Sequence, residues 1–369
     1  MKNLTTILIV DDSLIFRKIV QKCLDGEDDI KVVGSVRNGV KAIEFIKKQR
    51  PDLVTLDIEM PEMNGIQTLG AVQEINAANV NIAPIGVIML SAFTKKGADI
   101  TIKALESGAF DFITKPEGND QQKNYSTLRR QLLAKIRYFT SRRIASQNKQ
   151  SQPVVTRHEE STPEKKEPKE PVSLITQTKC KAILIGVSTG GPRALMSLIP
   201  DLCQRTMIPI MIVQHMPPKF TESLAESLNA KCRFQVVEAF DKQSIEKEHV
   251  YIAPGGKHML LTKKSGEFII QINEDPPVHG CRPSVDILFQ SASRVLGRDV
   301  IAVILTGMGT DGTDGLSYLK QRDMYVIAQD EASSVVWGMP GSAVRAGLVD
   351  DVQPLDKIPE CIANALKRV

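Results

Sequence analysis

Apolar and polar positions along the chain follow two interleaved periods. Short continuous apolar runs at 7–10, 32–34, 53–56, 85–90 and 110–113 are separated by stretches whose apolar residues recur with helical spacing. Continuous runs predict strands buried on both faces, and the helical spacing predicts amphipathic helices covering them. Strands that each lead into a helix imply a parallel sheet, because parallel neighbours need crossover connections. A last helix, carrying Leu128, Leu132, Ile136 and Phe139, closes this series. The same alternation resumes downstream, with apolar runs at 182–185, 209–213, 236–238 and 301–305 and helical spacing over 221–229 and 285–296. Between 250 and 272 short strands are broken by Pro254-Gly255-Gly256 and Ser265-Gly266, a pattern that predicts an antiparallel ribbon appended to the second sheet.

The two series are divided at 141–177, where Gln, Ser, Pro, Lys and Glu dominate (SQNKQSQPVV, EESTPEKKEPKEP). Such a segment buries too little surface to offset its ordering entropy and reads as a flexible, extended, non-helical linker with a basic start at Arg142 and Arg143. The expected organisation is a first domain over 1–125, a helix end and linker over 126–178, and a second domain over 179–369. No internal repeat is visible.

The length of 369 residues gives room for two domains, and 42% hydrophobic with 24% charged residues is ordinary for a folded chain, which excludes a disordered, collagen-like or rod-like protein. A net charge of +4 provides no dominant field for nucleic acid or membrane. The six cysteines, Cys23, Cys180, Cys203, Cys232, Cys281 and Cys361, contain no C-x-x-C pair and read as buried reduced thiols, not as a zinc site or disulfide framework. The run at 7–10 is followed at once by two aspartates, unlike a signal peptide, and no apolar stretch approaches the ~18 residues of a membrane helix. A cytoplasmic protein is expected.

Chemistry enters at the predicted strand ends. Asp11 and Asp12 follow the first strand, Asp57 the third, Ser91 the fourth and Lys115 the fifth. In a parallel sheet these ends converge at a topological switch point. Clustered carboxylates call for a hard cation such as Mg²⁺, and a neighbouring hydroxyl and ammonium suit an incoming phosphoryl group, with Asp57 the best nucleophile. With DD at 11–12, LDIEMP at 56–61, SA at 91–92 and KP at 115–116, residues 5–120 resemble the receiver domain of two-component response regulators. The resemblance implies a flavodoxin-like five-stranded sheet, Asp57 as phospho-acceptor, and Asp11, Asp12, Asp57 and the backbone carbonyl of Glu59 as Mg²⁺ ligands. It also makes Phe112 the switch aromatic and Ser91 its hydroxyl partner. The stretch 76–83 is longer than receivers usually have before the fourth strand.

After the linker, the strand at 182–185 leads into Gly186-Val187-Ser188-Thr189-Gly190-Gly191-Pro192. This fits G-x-S-x-G, a sharp strand-to-helix turn that exposes a serine, and fits equally a glycine-rich turn that cradles phosphate. Of the histidines His158, His215, His249, His258 and His279, His158 lies in the linker, whereas His215 directly follows the buried run at 209–213 and so lies at the same kind of strand end as Ser188. Asp311, in the glycine-rich loop after the strand at 301–305, suits the carboxylate that orients the base. Asp314 is its nearest competitor and is better explained as a helix cap. The order Ser, His, Asp differs from that of α/β-hydrolases.

With IGVSTGGP at 185–192, VQHMPPKFT at 213–221, YIAPGGKHM at 251–259, RPSVDILF at 282–289 and ILTGMGTDG at 304–312, residues 180–369 resemble the catalytic domain of chemotaxis protein-glutamate methylesterases of the CheB type. The resemblance implies a doubly wound α/β domain with Ser188 as nucleophile, His215 as base and Asp311 as orienting acid. It further implies Met308 at the oxyanion hole and Thr189 in support of the histidine. The implied activity is demethylation of glutamate methyl esters on chemoreceptors, with deamidation of receptor glutamines, and no cofactor for the ester chemistry. A chemotaxis histidine kinase is the implied phosphodonor. A receiver docked over the Ser188 cleft would block it until Asp57 is phosphorylated. Arg282 is a candidate for a receptor carboxylate or a structural ion pair. The second half has no helix-turn-helix pattern or basic stripe, so no nucleic-acid partner is expected.

Overall fold

The computed structural model describes residues 4–118, 120–150 and 179–367. In the first half the chain runs β1 (Thr5–Val10), α1 (Leu14–Leu24), β2 (Ile30–Val36), α2 (Gly39–Lys48), β3 (Leu53–Asp57), α3 (Gly65–Ala77), β4 (Gly86–Ser91), α4 (Lys95–Glu106), β5 (Asp111–Thr114) and α5 (Gln121–Gln150). The strands form one parallel sheet in the order β2-β1-β3-β4-β5. Every residue of β3 and β4 is buried, which is why the predicted runs read as continuous and not alternating. The helix starts are set by side-chain caps: Ser13, Asn38 and Thr94 each accept from an amide of the first turn, and Asn64 forms a capping box with Gln67.

The second half runs β6 (Ala182–Val187), α6 (Gly191–Arg205), β7 (Ile210–Gln214), α7 (Phe220–Asn229), β8 (Gln235–Glu238), β9 (His249–Ile252), β10 (His258–Lys264) and β11 (Glu267–Asn273). It continues with α8 (Val285–Val295), β12 (Val300–Ile304), α9 (Thr313–Lys320), β13 (Tyr325–Gln329), α10 (Met339–Arg345), β14 (Asp351–Gln353) and α11 (Ile358–Leu366). Seven parallel strands take the order β14-β13-β12-β6-β7-β9-β8, so the winding reverses between β6 and β12.

Three expectations need correcting. The region 250–272 is not one ribbon: β9 joins the main sheet between β7 and β8, and only β10 and β11 pair antiparallel, as a separate two-stranded sheet. The linker does not begin at 141, because α5 continues to Gln150, and Arg143 is drawn into an ion pair with Asp52 at the edge of the first sheet. Residues 151–178, including His158, lie outside the described residues. Among the six cysteines only Cys23, Cys180 and Cys203 are buried, while Cys232, Cys281 and Cys361 are partly exposed.

The stretch 76–83 is tied down through Asn76, whose amide donates to the Ile85 carbonyl (3.0 Å) and accepts from the Ile85 amide (2.8 Å) and from Arg50 (2.9 Å). Among the described residues, no helix is long and apolar enough to cross a membrane.

The two halves pack through α4 against α6 and α7. At the centre of the contact Phe220 stacks on Phe112 (centroids 4.8 Å apart, planes at 11°), with Phe93 beside it at 6.5 Å. Charged and polar pairs surround it. Lys95 binds Glu226 (2.8 Å) and Ser223 (3.2 Å), Ser223 donates to Asp99 (2.6 Å), and Lys231 pairs with Glu106 (2.9 Å). Further along, the Trp337 amide donates to the Tyr138 hydroxyl (2.8 Å).

Candidate functional site

The carboxyl ends of β1, β3 and β5 bring Asp11, Asp12, Asp57 and Lys115 together. One carboxylate oxygen from each of Asp11, Asp12 and Asp57 lies within 4.8 Å of the others. The Lys115 ammonium bridges Asp11 Oδ2 and Asp57 Oδ1, at 2.8 Å each. Burial pushes the Asp57 carboxyl up to about 6, Lys115 pulls it down, and Asp11 adds to the rise. Two buried carboxylates and the exposed Asp12, which a single lysine does not balance, present only carboxylate oxygens and fit a hard divalent cation such as Mg²⁺. The Glu59 side chain turns away to Lys96 (2.7 Å), so only its backbone is free for that site. Ser91 is at the expected strand end, but its hydroxyl donates into α4, to the Gly97 carbonyl (3.2 Å), and accepts from Thr101 (2.8 Å). Phe112 is buried in the contact with Phe220.

The second site lies where the seven-stranded sheet reverses. Ser188 follows β6, His215 follows β7, and Asp311 follows β12. Gly190, in the left-handed region (φ +78), caps α6 and turns the chain directly after Ser188. The loop after β12 approaches closely: a Cβ on Gly307 would meet Ser188 Cβ at 2.8 Å and Met339 Sδ at 2.3 Å. The Ser188 carbonyl accepts from Gln214 (2.9 Å) and the Gly191 amide (2.8 Å), which fixes the turn.

Asp311 is almost fully enclosed and serves as the anion at the N-terminus of α8. Its Oδ2 accepts from His215 Nε2 (2.7 Å) and the Val285 amide (2.8 Å), and its Oδ1 accepts from the Ser284 hydroxyl (2.7 Å) and the Asp286 amide (3.1 Å). Burial alone would raise this carboxyl, but His215, the Val285 amide and Ser284 outweigh it and hold it well below the usual carboxylate range. Burial likewise opposes charge on His215, yet Asp311 and Cys281 push the imidazole up to about 9. His215 Nδ1, the nitrogen not engaged by Asp311, faces Cys281 Sγ at 3.7 Å.

Ser188 and His215 line one cavity of about 540 Å³, with Met308 and Thr189 at its wall. Among the described residues the Met308 amide donates to no partner, and no hydrogen bond joins Ser188 to His215. The Thr189 carbonyl accepts from Thr306 (2.9 Å), and its side chain makes no hydrogen bond to His215. Arg282 also lines the cavity but forms no ion pair there; it donates to the carbonyls of Glu274 (2.8 Å) and Asp275 (3.1 Å). Asp314 does not cap α9, whose N-cap is Gly312; its carboxylate faces His279 at 3.3 Å.

The opposite wall of the cavity belongs to the first half of the chain, with Phe112, Thr114, Gln131 and the Asp111–Lys135 ion pair. Sequence reasoning missed Ser284, Asp286 and Cys281 as parts of this site. RPSVD at 282–286 contains two of them, but their partner is a carboxylate far along the chain, and no local signal links them to it.

Both halves of the chain match known protein families. Residues 183–362 match the CheB methylesterase family and residues 7–125 the response regulator receiver domain. The chain is 44% identical over its whole length, and the relative's, to a protein-glutamate methylesterase/protein-glutamine glutaminase of Desulfotalea psychrophila. It is 38% identical to one of Pyrococcus horikoshii, over 98% of this chain and 93% of the other. Among solved structures, the Thermotoga maritima CheB methylesterase catalytic domain is 41% identical, covering 50% of this chain and 98% of that one (TM-score 0.49). The response regulator domain of T. maritima CheB is also 41% identical, covering 36% and 94% (TM-score 0.31). With full-length identity of this order across both halves, the chain belongs to the family of CheB methylesterases that carry a response regulator receiver domain.

Proposed function

We infer that this chain is a phosphorylation-regulated serine hydrolase that demethylates glutamate methyl esters on chemoreceptors and deamidates receptor glutamines, with a chemotaxis histidine kinase as phosphodonor. The observation that carries the reading is that Ser188 and His215 line one cavity whose other wall is the receiver, with Asp311 bound to His215 behind it.

The hydrogen bond to Asp311 keeps a proton on His215 Nε2 and leaves Nδ1 as the base. In the reaction Ser188 Oγ attacks the ester carbonyl carbon and its proton passes to His215 Nδ1. The free Met308 amide stabilises the oxyanion. The imidazolium then returns the proton to the departing methoxide, so methanol leaves, or to the amide nitrogen, so ammonia leaves. Water hydrolyses the acyl-enzyme by the same path in reverse roles. No step draws on a metal. In the receiver, Asp11, Asp12, Asp57 and the Glu59 carbonyl would hold Mg²⁺, which supplies charge neutralisation for phosphoryl transfer, and Lys115 balances the charge that remains.

Docking explains the regulation. With the receiver docked on α7, its Phe112, Thr114, Gln131 and Lys135 form one wall of the Ser188 cavity and narrow the approach of a receptor side chain. A phosphoryl group on Asp57 offers Ser91 a stronger acceptor than the Gly97 carbonyl it now uses. Ser91 leaving α4 loosens the helix that carries Lys95 and Asp99 into the contact.

The test is methanol release from methylated chemoreceptor, with and without a small phosphodonor and Mg²⁺. Release that rises with the donor and vanishes in Ser188→Ala is expected. Absence of release from the unaltered chain under both conditions would overturn the reading.

A further inference from the structure

On the side of Asp311 away from His215 lies a second polar cluster, which the hydrolytic reaction does not use. Asp286, in the first turn of α8, aims Oδ1 at the amides of Gly312 (2.9 Å) and Gly315 (2.6 Å). Its Oδ2 is buried and accepts no hydrogen bond, although the side chain as a whole is only 9% exposed. A buried carboxylate oxygen left without a donor costs on the order of 1–3 kcal/mol or more, so its persistence calls for a partner. His279 Nε2 faces it at 3.5 Å, and its own hydrogen bond goes to Asp314 Oδ2 at 3.3 Å. One ligand atom from each of His279, Asp286 and Asp314 falls within 4.8 Å of the other two. His279 and Asp314 are exposed, so the cluster has an enclosed floor and a solvent-facing mouth.

The electrostatics point the same way. Burial pushes the Asp286 carboxyl up to about 7, helped by the nearby charges of Asp311 and Asp314 and by a side-chain hydrogen bond shared with Asp311. Asp311 is balanced by His215, whereas the ion pairs of Asp286 and Asp314 go to His279 alone, with no lysine or arginine among them.

We propose that His279, Asp286 and Asp314 bind a divalent transition-metal cation, of which Zn²⁺ is the best fit. A neutral imidazole nitrogen and two carboxylate oxygens, with water at the open side, are a donor set such ions accept. The all-carboxylate cluster of the receiver is of the harder kind suited to Mg²⁺. The group His215, Cys281 and Asp311 also brings three ligand atoms together, but His215 Nε2 and Asp311 Oδ2 are already committed to one another. The ion would join the first turns of α8 and α9 to the Val278–Cys281 turn, closed by its own pair of backbone hydrogen bonds. Gly280, Cys281 and Arg282, on or next to that turn, wall the Ser188 cavity, so the ion would brace one side of the catalytic cleft.

The test uses the full chain, stripped with chelator and held in excess Mg²⁺ so that the receiver site is filled. Co²⁺ is added as a spectroscopic probe and then displaced by Zn²⁺, with hydrogen exchange of residues 278–282 followed in parallel. The expected result is one Co²⁺ bound, with visible bands and no thiolate charge-transfer band, displaced by one equivalent of Zn²⁺, and slower exchange of the turn in the Zn²⁺ form. His279→Ala and Asp314→Asn, both surface changes, should each weaken binding at least tenfold and abolish the exchange effect, whereas Cys281→Ser and Asp57→Asn should bind as the unaltered chain does. Binding that survives His279→Ala unchanged, binding lost in Cys281→Ser or Asp57→Asn, or no binding at millimolar Zn²⁺ would each overturn the proposal.

Discussion

At the scale of single residues, the site is governed by how Asp311 is held. Its four donors, of which two are amides of the α8 N-terminus, make it a carboxylate that resists protonation. That carboxylate in turn favours the imidazolium of His215, raised to about 9, so neutral base becomes plentiful only in mildly alkaline solution. The rate of the phosphorylated enzyme should therefore climb with pH toward that value. Cys281 contributes to the rise, so Cys281→Ala should move the midpoint of the kcat/KM profile to lower pH; an unmoved midpoint would remove the thiol from the account.

The linkage has a definite sign. A histidine raised from about 6.5 stabilises the fold fully below that pH and loses the contribution as pH rises through about 9. Asp311, lowered from about 3.8, contributes above that value and loses its share as pH falls through its folded range. Replacing it by Asn permits the wrong histidine tautomer, and kcat should fall by roughly 10⁴. Ser284→Ala removes one neutral donor and leaves three, so it should lower kcat about tenfold or less, for a lost hydrogen bond of about 1 kcal/mol, with KM unchanged. Steady-state methanol release separates the two.

At the scale of elements, the strands that lead into the candidate sites were readable in the sequence because each is a buried or nearly buried parallel strand ending at a candidate site residue. The runs before Asp11, Asp57, Ser188 and His215 needed no tertiary information. What failed to read locally depends on partners. β9 is a four-residue strand, and only its neighbours β7 and β8 decide that it belongs to the main sheet and not to the ribbon. The polar end of α5 has weak helical patterning, but Arg143 finds Asp52 and Thr140 finds Thr5 (2.7 Å) on the receiver sheet.

The α4–α7 contact was likewise invisible as a pattern, since its charged residues look like any solvated helix face. Lys95 faces Glu222 (3.4 Å) and Glu226 (2.8 Å) across it and Asp99 (3.5 Å) on its own helix, so Lys95→Glu sets four acidic groups against one another. Basal methanol release without phosphodonor should rise severalfold, the phosphorylated rate should stay the same, and Glu226→Lys in the same chain should restore repression. Unchanged basal activity in Lys95→Glu would mean that this contact does not hold the receiver closed.

At the scale of the whole molecule, the two sites are joined by an interface whose parts have different physical characters. The Phe93–Phe220–Phe112 group is apolar and insensitive to salt, whereas the pairs Lys95–Glu226 and Lys231–Glu106 are partly exposed and screened by it. On the proposed reading, phosphorylation of Asp57 would act on neither directly. It would act through Ser91 and Lys115 on the ends of β4 and β5, which lead into α4 and carry Phe112. The release should accordingly be a coupled movement of α4 and α5, and the chain contains a reporter for it. Trp337 is its single tryptophan and donates its amide to Tyr138 of α5, so separation of α5 from the catalytic half changes the surroundings of that one fluorophore. Adding phosphodonor and Mg²⁺ should shift the Trp337 emission to longer wavelength with the same time course as the rise in methanol release, and Asp57→Asn should abolish both. Raising the salt without phosphodonor should produce a partial shift, because it weakens the ion pairs and leaves the aromatic stack. If methanol release rises while the emission stays fixed, activation proceeds without withdrawal of α5, and the opening must be confined to α4 and the Phe112 stack.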